Sequence, residues 1–291
     1  MATTTTSLND LLPSIIQEAL FVASEQSIMR GLVKNYTLGP AQGKTINVPI
    51  YPQVTAATLT EGTAIEIGSS AYSNVSTNTA TLTIGEVGLG THISDLARIA
   101  SASNVVADVG RLFGEAIARK IDLDLTARFA EFTTNVVGTA NILAISANIT
   151  ASDIFKAVAK LRSAGVPSTD LACVLHPAVA YDLKANLTNT YANPNAGTIQ
   201  NTAMLSGYVG TIAGVPVYET SNINNNGTAG DFVGGLFHRD ALGFGLMKDV
   251  SIEVMRSPLM RGDELVASAL YATGVVYEGY GVAMSFDSTV L

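Results

Sequence analysis

Residues 104–132 read NVVADVGRLFGEAIARKIDLDLTARFAEF, and they carry the strongest structural signal in the chain. It contains no proline, and its apolar side chains recur every three or four residues, which is typical of one face of a helix. At about 1.5 Å per residue this helix would be roughly 40 Å long, whereas globular helices average about 11–12 residues. The pattern therefore predicts a long spine helix. Its buried face would consist of Val106, Val109, Phe113, Ile117, Ile121, Leu125, Phe129 and Phe132, and its charged residues between Arg111 and Asp124 should be solvated or paired.

The segment before the spine, residues 44–91, has a period of two instead. Residues 46–50 and 79–84 alternate between apolar and polar, with many β-branched side chains, which predicts two strands. Residues 61–71 between them are small, polar and turn-rich. Because an isolated two-stranded ribbon is marginally stable in water, we expect a long β arm that lies on another subunit.

The N-terminal segment is apolar at helical spacing between residues 8 and 29, behind a run of threonines. The positions are Leu8, Leu11, Leu12, Ile15, Ile16, Ala19, Leu20 and Ala23. Two interpretations are open, an arm that docks on a neighbouring subunit or an ordinary terminal helix. The start, MATTTTS, lacks the features of a signal peptide, so we do not expect secretion. No apolar run approaches the ~18–20 residues that cross a bilayer.

An α/β region is predicted after the spine, from about residue 139 to 248. Residues 150–153 fit a capping box that opens a helix through Ala164, where Gly165 and Pro167 would end it. Further predicted elements are a buried strand at 171–175, a helix from Pro177 through Leu187, a strand at 215–218, and one or two strands within 232–247. Long strands at 250–255 and 265–286, joined by a loop at 257–263, would follow.

The composition favours self-association over nucleic-acid binding. Hydrophobic residues make up 47% of the chain and charged residues 14%, against roughly 25% charged in typical soluble domains. The mean hydropathy is +0.32. Such a chain usually covers part of its surface with copies of itself. The 16 basic residues are scattered among 24 acidic ones, so a grip on the phosphate backbone is not expected.

Three short motifs resemble known binding sequences, but their spacing or the residues around them argue against those functions. Residues 39–45 (GPAQGKT) resemble a phosphate-binding loop, but the glycine spacing is one residue short and a strand, not a helix, should follow. We interpret Gly85, Gly88 and Gly90 as the bend where the β arm rejoins the body. The RGD at 261–263 is expected to be a charged turn between strands.

Titratable residues likewise predict no active site. The three histidines, His92, His176 and His238, lie far apart and without metal-ligand spacing. The single Cys173 lies among apolar residues and is expected to be a buried thiol. We therefore expect no catalytic, cofactor or metal site.

Three stretches carry a resemblance to a known family. They are residues 170–177 (DLACVLHP), residues 210–218 (GTIAGVPVY), and residues 237–240 (FHRD) with 252–254 and 265–271. Together with the order of elements, they make the chain similar to the major capsid, or coat, proteins of tailed bacteriophages, whose Hong-Kong-97 type fold is shared with encapsulins. The resemblance implies an α+β coat fold with an N-terminal arm, an extended β-hairpin loop, a peripheral domain that contains the spine helix, and an α/β axial domain. The implied ranges are 1–43 for the arm, 44–91 for the loop, 92–138 and 249–291 for the peripheral domain, and 139–248 for the axial domain.

The resemblance also implies a function and partners. The chain would assemble as pentamers and hexamers into an icosahedral head around double-stranded DNA, in the bacterial cytoplasm. Expected partners are further copies, a portal, a separate scaffolding protein and a cement protein, with the DNA facing the inner surface without sequence-specific binding and no membrane. Lys44 lies at the root of the β arm, so covalent cross-linking through its tip is not expected. The expected inter-subunit contacts are Leu12, Ile16, Leu20, Leu59, Glu61, Ile65 and Ile67.

Two other functions are compatible with the sequence. An encapsulin-like compartment shares the fold and loads an enzyme cargo. A soluble α/β enzyme with an inserted β arm would need a formed pocket with converging titratable groups.

Overall fold

The computed structural model describes residues 2–3, 27–39, 41–51, 54, 56–62, 64, 77–100, 105–139, 145–191, 211–226 and 230–290. Its helices are α1 (Met29–Leu32), α2 (Asp95–Ala100), α3 (Val105–Thr126), α4 (Ala151–Ser163) and α5 (Pro177–Tyr191). Its strands are β1 (Ala2–Thr3), β2 (Lys34–Thr37), β3 (Thr45–Ile50), β4 (Asn78–Thr83), β5 (Gly85–Ser94), β6 (Val136–Gly138), β7 (Leu171–Leu175), β8 (Thr211–Ile212), β9 (Val215–Glu219), β10 (Asp231–His238), β11 (Leu242–Ser257), β12 (Gly262–Val275) and β13 (Gly281–Asp287).

The strands form two sheets and a ribbon. The five-stranded sheet has the order β1-β5-β12-β11-β2, and the six-stranded sheet has the order β6-β13-β10-β7-β9-β8. Long antiparallel strands β5, β12 and β11 form the centre of the first sheet, and short parallel strands lie at its edges. Strands β3 and β4 pair with each other, as the alternation predicted, and form the ribbon.

The predicted spine helix is confirmed as α3. Its contacts with both sheets account for its unusual length. Ile117, Ile121 and Leu125 are buried along one face, and α3 packs on β12 and β11 of the five-stranded sheet. A turn of 3₁₀ helix at Ala127–Glu131 continues it. Phe129 and Phe132 then lie so close to Gly235 and Gly281 of the six-stranded sheet that a Cβ on either glycine would meet a ring atom at 2.5 Å or less. The helix therefore joins the cores of the two sheets.

The α/β elements follow their local signals. Asp153 Oδ2 accepts hydrogen bonds from the backbone N–H and the hydroxyl of Thr150, which completes the predicted capping box of α4. Gly165 has φ +78° just after this helix. Strand β7 is buried at every position and α5 begins at Pro177, both as predicted, although α5 continues beyond the expected end to Tyr191.

The C-terminal strands differ from the expectation. Residues 265–286 do not form strands of one sheet, because β12 ends at Val275, a 3₁₀ turn at Glu278–Tyr280 follows, and β13 crosses into the six-stranded sheet between β10 and β6. The loop expected at 257–263 is reduced to residues 258–261. Strand crossing depends on tertiary packing, which alternation does not encode.

The N-terminal segment also differs, because its last part belongs to the subunit itself. Met29 and Val33 are fully buried in the main core, and β2 pairs with β11 in parallel. Residues 29–37 are therefore not part of a free arm, although the expected arm extended to residue 43. Most of the predicted helix at 8–29 lies outside the described residues.

The glycines at 85, 88 and 90 do not mark a bend. They lie in β5, which pairs continuously with β12. A Cβ on Gly88 would lie 2.8 Å from the carbonyl oxygen of Ala267, and one on Gly90 would lie 3.2 Å from that of Leu265. These two glycines let neighbouring strands approach closely, and residues 85–91 belong to the sheet rather than to the ribbon.

Candidate assembly surfaces

The far end of the five-stranded sheet carries an exposed apolar surface. Strands β11 and β12 extend beyond β2 and meet in a turn at residues 258–261, where the side chain of Leu259 is 97% exposed. Helix α2 lies beside this turn, and its Ile99 is 78% exposed. We call this the tip surface, formed by Leu96, Ile99, Val254, Leu259 and Met260, all of them more than half exposed.

Four charged side chains fix α2 to the hairpin behind the tip surface. Arg256 donates to both carboxylate oxygens of Asp95, at 2.5 and 2.7 Å, and contacts Asp263 at 3.3 Å. Arg98 donates to Asp263 at 2.8 Å. The hydrogen bond from Arg256 lowers the pKa of Asp95. This bidentate geometry is the strong form of an ion pair, so the apolar side chains are held on a rigid support.

The backbone of the turn is closely packed, and position 262 does not accommodate a side chain. Arg261 has φ +50°, and its carbonyl oxygen accepts the N–H of Asp95 at 2.9 Å. A Cβ on Gly262 would lie 2.3 Å from the carbonyl oxygen of Ile93 and 2.4 Å from Nε2 of His92. His92 is buried, and both ring nitrogens lack a hydrogen-bond partner within the described part of the chain. The RGD stretch is only partly the expected charged turn, because Arg261 ends the turn whereas Gly262 and Asp263 begin strand β12.

The ribbon presents a second exposed surface. Beyond Ile50, the side chains of Tyr51, Val54 and Leu59 are more than half exposed, and Glu61 is exposed as well. Leu59 and Glu61 are thus accessible to a partner. The other expected contact residues, Leu12, Ile16, Leu20, Ile65 and Ile67, lie outside the described residues.

The tip surface was not predicted from the sequence, because residues 257–263 were expected to be only a loop, with a charged turn at 261–263. A usable signal was present. Leu259 and Met260 are two large apolar side chains in a turn between two predicted strands, where polar residues are usual.

The histidines occupy three separate places. The ring of His176 stacks on Phe232 with a centroid distance of 3.7 Å, and its Nδ1 accepts the N–H of Ala178. Nδ1 of His238 accepts the N–H of Asp240. Within the described ranges, no group of three or more His, Cys, Asp or Glu side chains is placed to hold a metal ion.

Other chemistry-bearing residues have structural partners. Cys173 is fully buried as expected, 3.7 Å from the sulfur of Met284, and burial raises the pKa of its thiol to about 12. Thr45, the last residue of the GPAQGKT stretch, begins strand β3, so a strand follows Lys44 as expected. None of the described helices is long and apolar enough to span a membrane.

A groove of about 830 Å³ between β6 and α4 bears on the enzyme alternative. The charged side chains that line this groove form hydrogen bonds and ion pairs within the elements that surround it. Asp153 caps α4 and pairs with Lys156 at 2.8 Å, and Lys160 donates to the carbonyl oxygen of Val136 at 2.7 Å. Burial acts to raise the pKa of Asp153, but hydrogen bonds from Lys156 and Thr150 outweigh it, and the pKa is lowered.

Comparison with known proteins identifies the family. The model of the family described as "Phage capsid protein" matches residues 77–285, well over half of the chain. The chain belongs to the phage capsid protein family. A search of curated proteins finds no match for this capsid protein.

Solved phage structures share the fold of this capsid protein over nearly its whole length. The capsid of cyanophage P-SCSP1u matches with a TM-score of 0.71 and 17% identity, covering 99% of this chain and 97% of that one. Mycobacterium phage Che8 matches at 0.69 and 19%, covering 92% and 94%. The capsid of Helicobacter pylori bacteriophage KHP30 matches at 0.72 and 11%, covering 98% and 97%.

The predicted fold and broad function are therefore confirmed. The chain is a major capsid protein with the Hong-Kong-97 type fold; it associates with itself in the shell of the phage head and is located in the virion. The encapsulin alternative is not favoured.

Proposed function

We propose that this capsid protein assembles as pentamers and hexamers into an icosahedral head that encloses double-stranded DNA. The observation that carries the proposal is the tip surface, because large apolar side chains are held outward by an ion-paired support. A single subunit gains nothing from that exposure, whereas burial against another copy removes the apolar area from water.

The two sheets suggest how the subunit divides. The five-stranded sheet with α3 would be the peripheral domain, and the six-stranded sheet with α4 and α5 the axial domain that meets its copies around the symmetry axes. On this division, residues 136–138 and 281–287 would move from the peripheral ranges expected from the sequence to the axial domain, since β6 and β13 lie in its sheet.

The ribbon and the N-terminal segment would lap onto neighbouring copies. We propose contacts through Leu59 and Glu61, both exposed, and through Leu12, Ile16, Leu20, Ile65 and Ile67. Lys44 lies at the ribbon root and residues 61–71 contain no lysine, so the overlap would be non-covalent.

The remaining partners belong to head assembly. A portal, a separate scaffolding protein and a cement protein would complete a head built in the bacterial cytoplasm. DNA would face the inner surface without sequence-specific binding, in keeping with the formal net charge of −8. The subunit would have no catalytic role, since the charged groups of its 830 Å³ groove hold structure.

Removal of the apolar side chains at the turn tests the proposal. The double variant Leu259→Ser with Met260→Ser should fold normally, by circular dichroism, but lose at least about tenfold in particle yield by sedimentation, because two buried apolar contacts are removed per copy. Val290→Ser is the matched control, since Val290 is also more than half exposed but lies in the C-terminal segment. Equal particle yields from the double variant and the control would contradict the proposal.

A further inference from the structure

The ribbon rests on a patch of the five-stranded sheet that has almost no side chains. Gly243 pairs with Gly274, and Gly245 pairs with Ala272, across β11 and β12. Directly opposite residues share a face of a sheet, as do residues two apart on a strand, so these four lie on one face. We call them the glycine pad.

Two apolar side chains of the ribbon lie on the glycine pad. Leu82 and Ile46 are opposite each other in the ribbon, and Leu82 is buried. A Cβ on Gly243 would lie 2.9 Å from Cδ1 of Leu82, and a Cβ on Gly274 would lie 2.7 Å from its Cδ2. A Cβ on Gly245 would lie 2.6 Å from Cδ1 of Ile46. The ribbon approaches the sheet this closely because the pad lacks side chains.

We infer that the glycine pad sets the angle at which the ribbon leaves the subunit, and so determines which position on a neighbouring copy the ribbon reaches. This inference rests on the proposed function, in which the ribbon contacts another copy.

Because the glycine pad lies near the ribbon root, a small displacement there becomes a larger displacement farther along the ribbon. The ribbon joins the body at Ile84, which is buried and whose N–H donates to the carbonyl oxygen of Lys44 at 2.9 Å. Leu82 lies about 7 Å from Ile84 along the strand, and Asn78 about 20 Å. A movement of the ribbon as a unit that relieves the contact between a new Cβ and Leu82 amounts to about 1 Å at Leu82 and about 3 Å at Asn78. One added methyl group would therefore redirect the ribbon.

The test compares two glycine-to-alanine changes near the ribbon root. Gly274→Ala places its Cβ against Leu82, whereas Gly85→Ala is the matched control, because nothing lies within 4 Å of a Cβ at position 85. We expect Gly274→Ala to raise the concentration at which particles form about tenfold, and Gly85→Ala to leave it unchanged. Light scattering measures this concentration, and denaturant unfolding of the unassembled chain measures stability separately.

A second-site change separates positioning from general damage. Leu82→Val removes the δ-methyl groups that the new Cβ meets, so the double variant Gly274→Ala with Leu82→Val should assemble at nearly the concentration of the original chain. The inference is overturned if Gly274→Ala assembles like the control, or if its defect follows lost stability and Leu82→Val does not rescue it. Failure of the unaltered chain to form particles would instead contradict the proposed function.

Discussion

Asp122 connects three parts of the chain at a single carboxylate. It is fully buried on α3, and it accepts the hydroxyl of Ser27 at 2.6 Å and the N–H groups of Ile28 and Met29 at 3.0 and 3.2 Å. Asn222, in the loop after β9, lies within 3.5 Å of the same carboxylate. The sequence placed Asp122 off the apolar face and predicted that it would be solvated or paired; its partners are distant in sequence and could not be named.

Loss of this carboxylate should be costly for stability. We expect Asp122→Ala to lower the free energy of unfolding by about 3 kcal/mol, because hydrogen bonds to a charged group are lost and buried N–H groups are left unpaired. Asp249→Ala is the control, since Asp249 is exposed and pairs with Arg30 at 3.8 Å; its cost should stay within about 0.5 kcal/mol. Equal costs in urea denaturation of the unassembled chain would contradict this role.

The thiol of Cys173 reports on the core around β7. Because burial raises its pKa to about 12, the thiol should be neutral at pH 8 and resist a disulfide reagent in the folded chain. In denaturant one thiol per chain should react, which absorbance of the released thiolate measures. Full labelling of the folded chain at pH 8 would show that the strand opens freely.

At the scale of elements, the attachment of α2 should depend on pH. The folded pKa of Asp95 is lowered from its ordinary value of 3.8, chiefly by the hydrogen bond from Arg256. The attachment is therefore fully present above about pH 4 and is lost as the pH falls through the lowered value. In Arg256→Ala the titration midpoint of the Asp95 carboxyl carbon, followed by NMR, should return towards 3.8. An unchanged midpoint would mean that Arg256 does not hold α2.

The spine helix offers a stabilising change. Nothing lies within 4 Å of a Cβ at Gly114, so alanine fits without displacing a neighbour. Gly114→Ala should raise the free energy of unfolding by about 0.5–1 kcal/mol, because glycine loses more backbone entropy in a helix. A destabilised variant in thermal unfolding would show that this part of α3 packs more tightly than described.

Elements with strong local signals could be predicted from the sequence. The apolar period of α3, the Thr150 capping box and the buried strand β7 each depend on neighbouring residues, and each is confirmed. The crossing of β13 into the second sheet and the burial of Met29 could not be predicted, because they depend on which surfaces meet after folding. The tip surface was missed for a related reason: the exposure of Leu259 depends on where the turn between β11 and β12 lies in the folded subunit.

At the scale of the whole molecule, a capsid subunit must be stable alone and yet present surfaces that other copies cover. The spine helix meets the first requirement by joining the cores of both sheets through Phe129 and Phe132. The ribbon and the tip surface meet the second, since both project apolar side chains away from those cores.

Electron microscopy of the purified chain at rising concentration, with light scattering on the same samples, tests whether this chain assembles through its exposed apolar surfaces. We predict closed particles tens of nanometres across, built from rings of five and six copies, that do not form when Leu259 and Met260 are replaced by serine. A compact 30.2 kDa monomer at every concentration would contradict the claim that the exposed apolar surfaces of this chain are assembly surfaces.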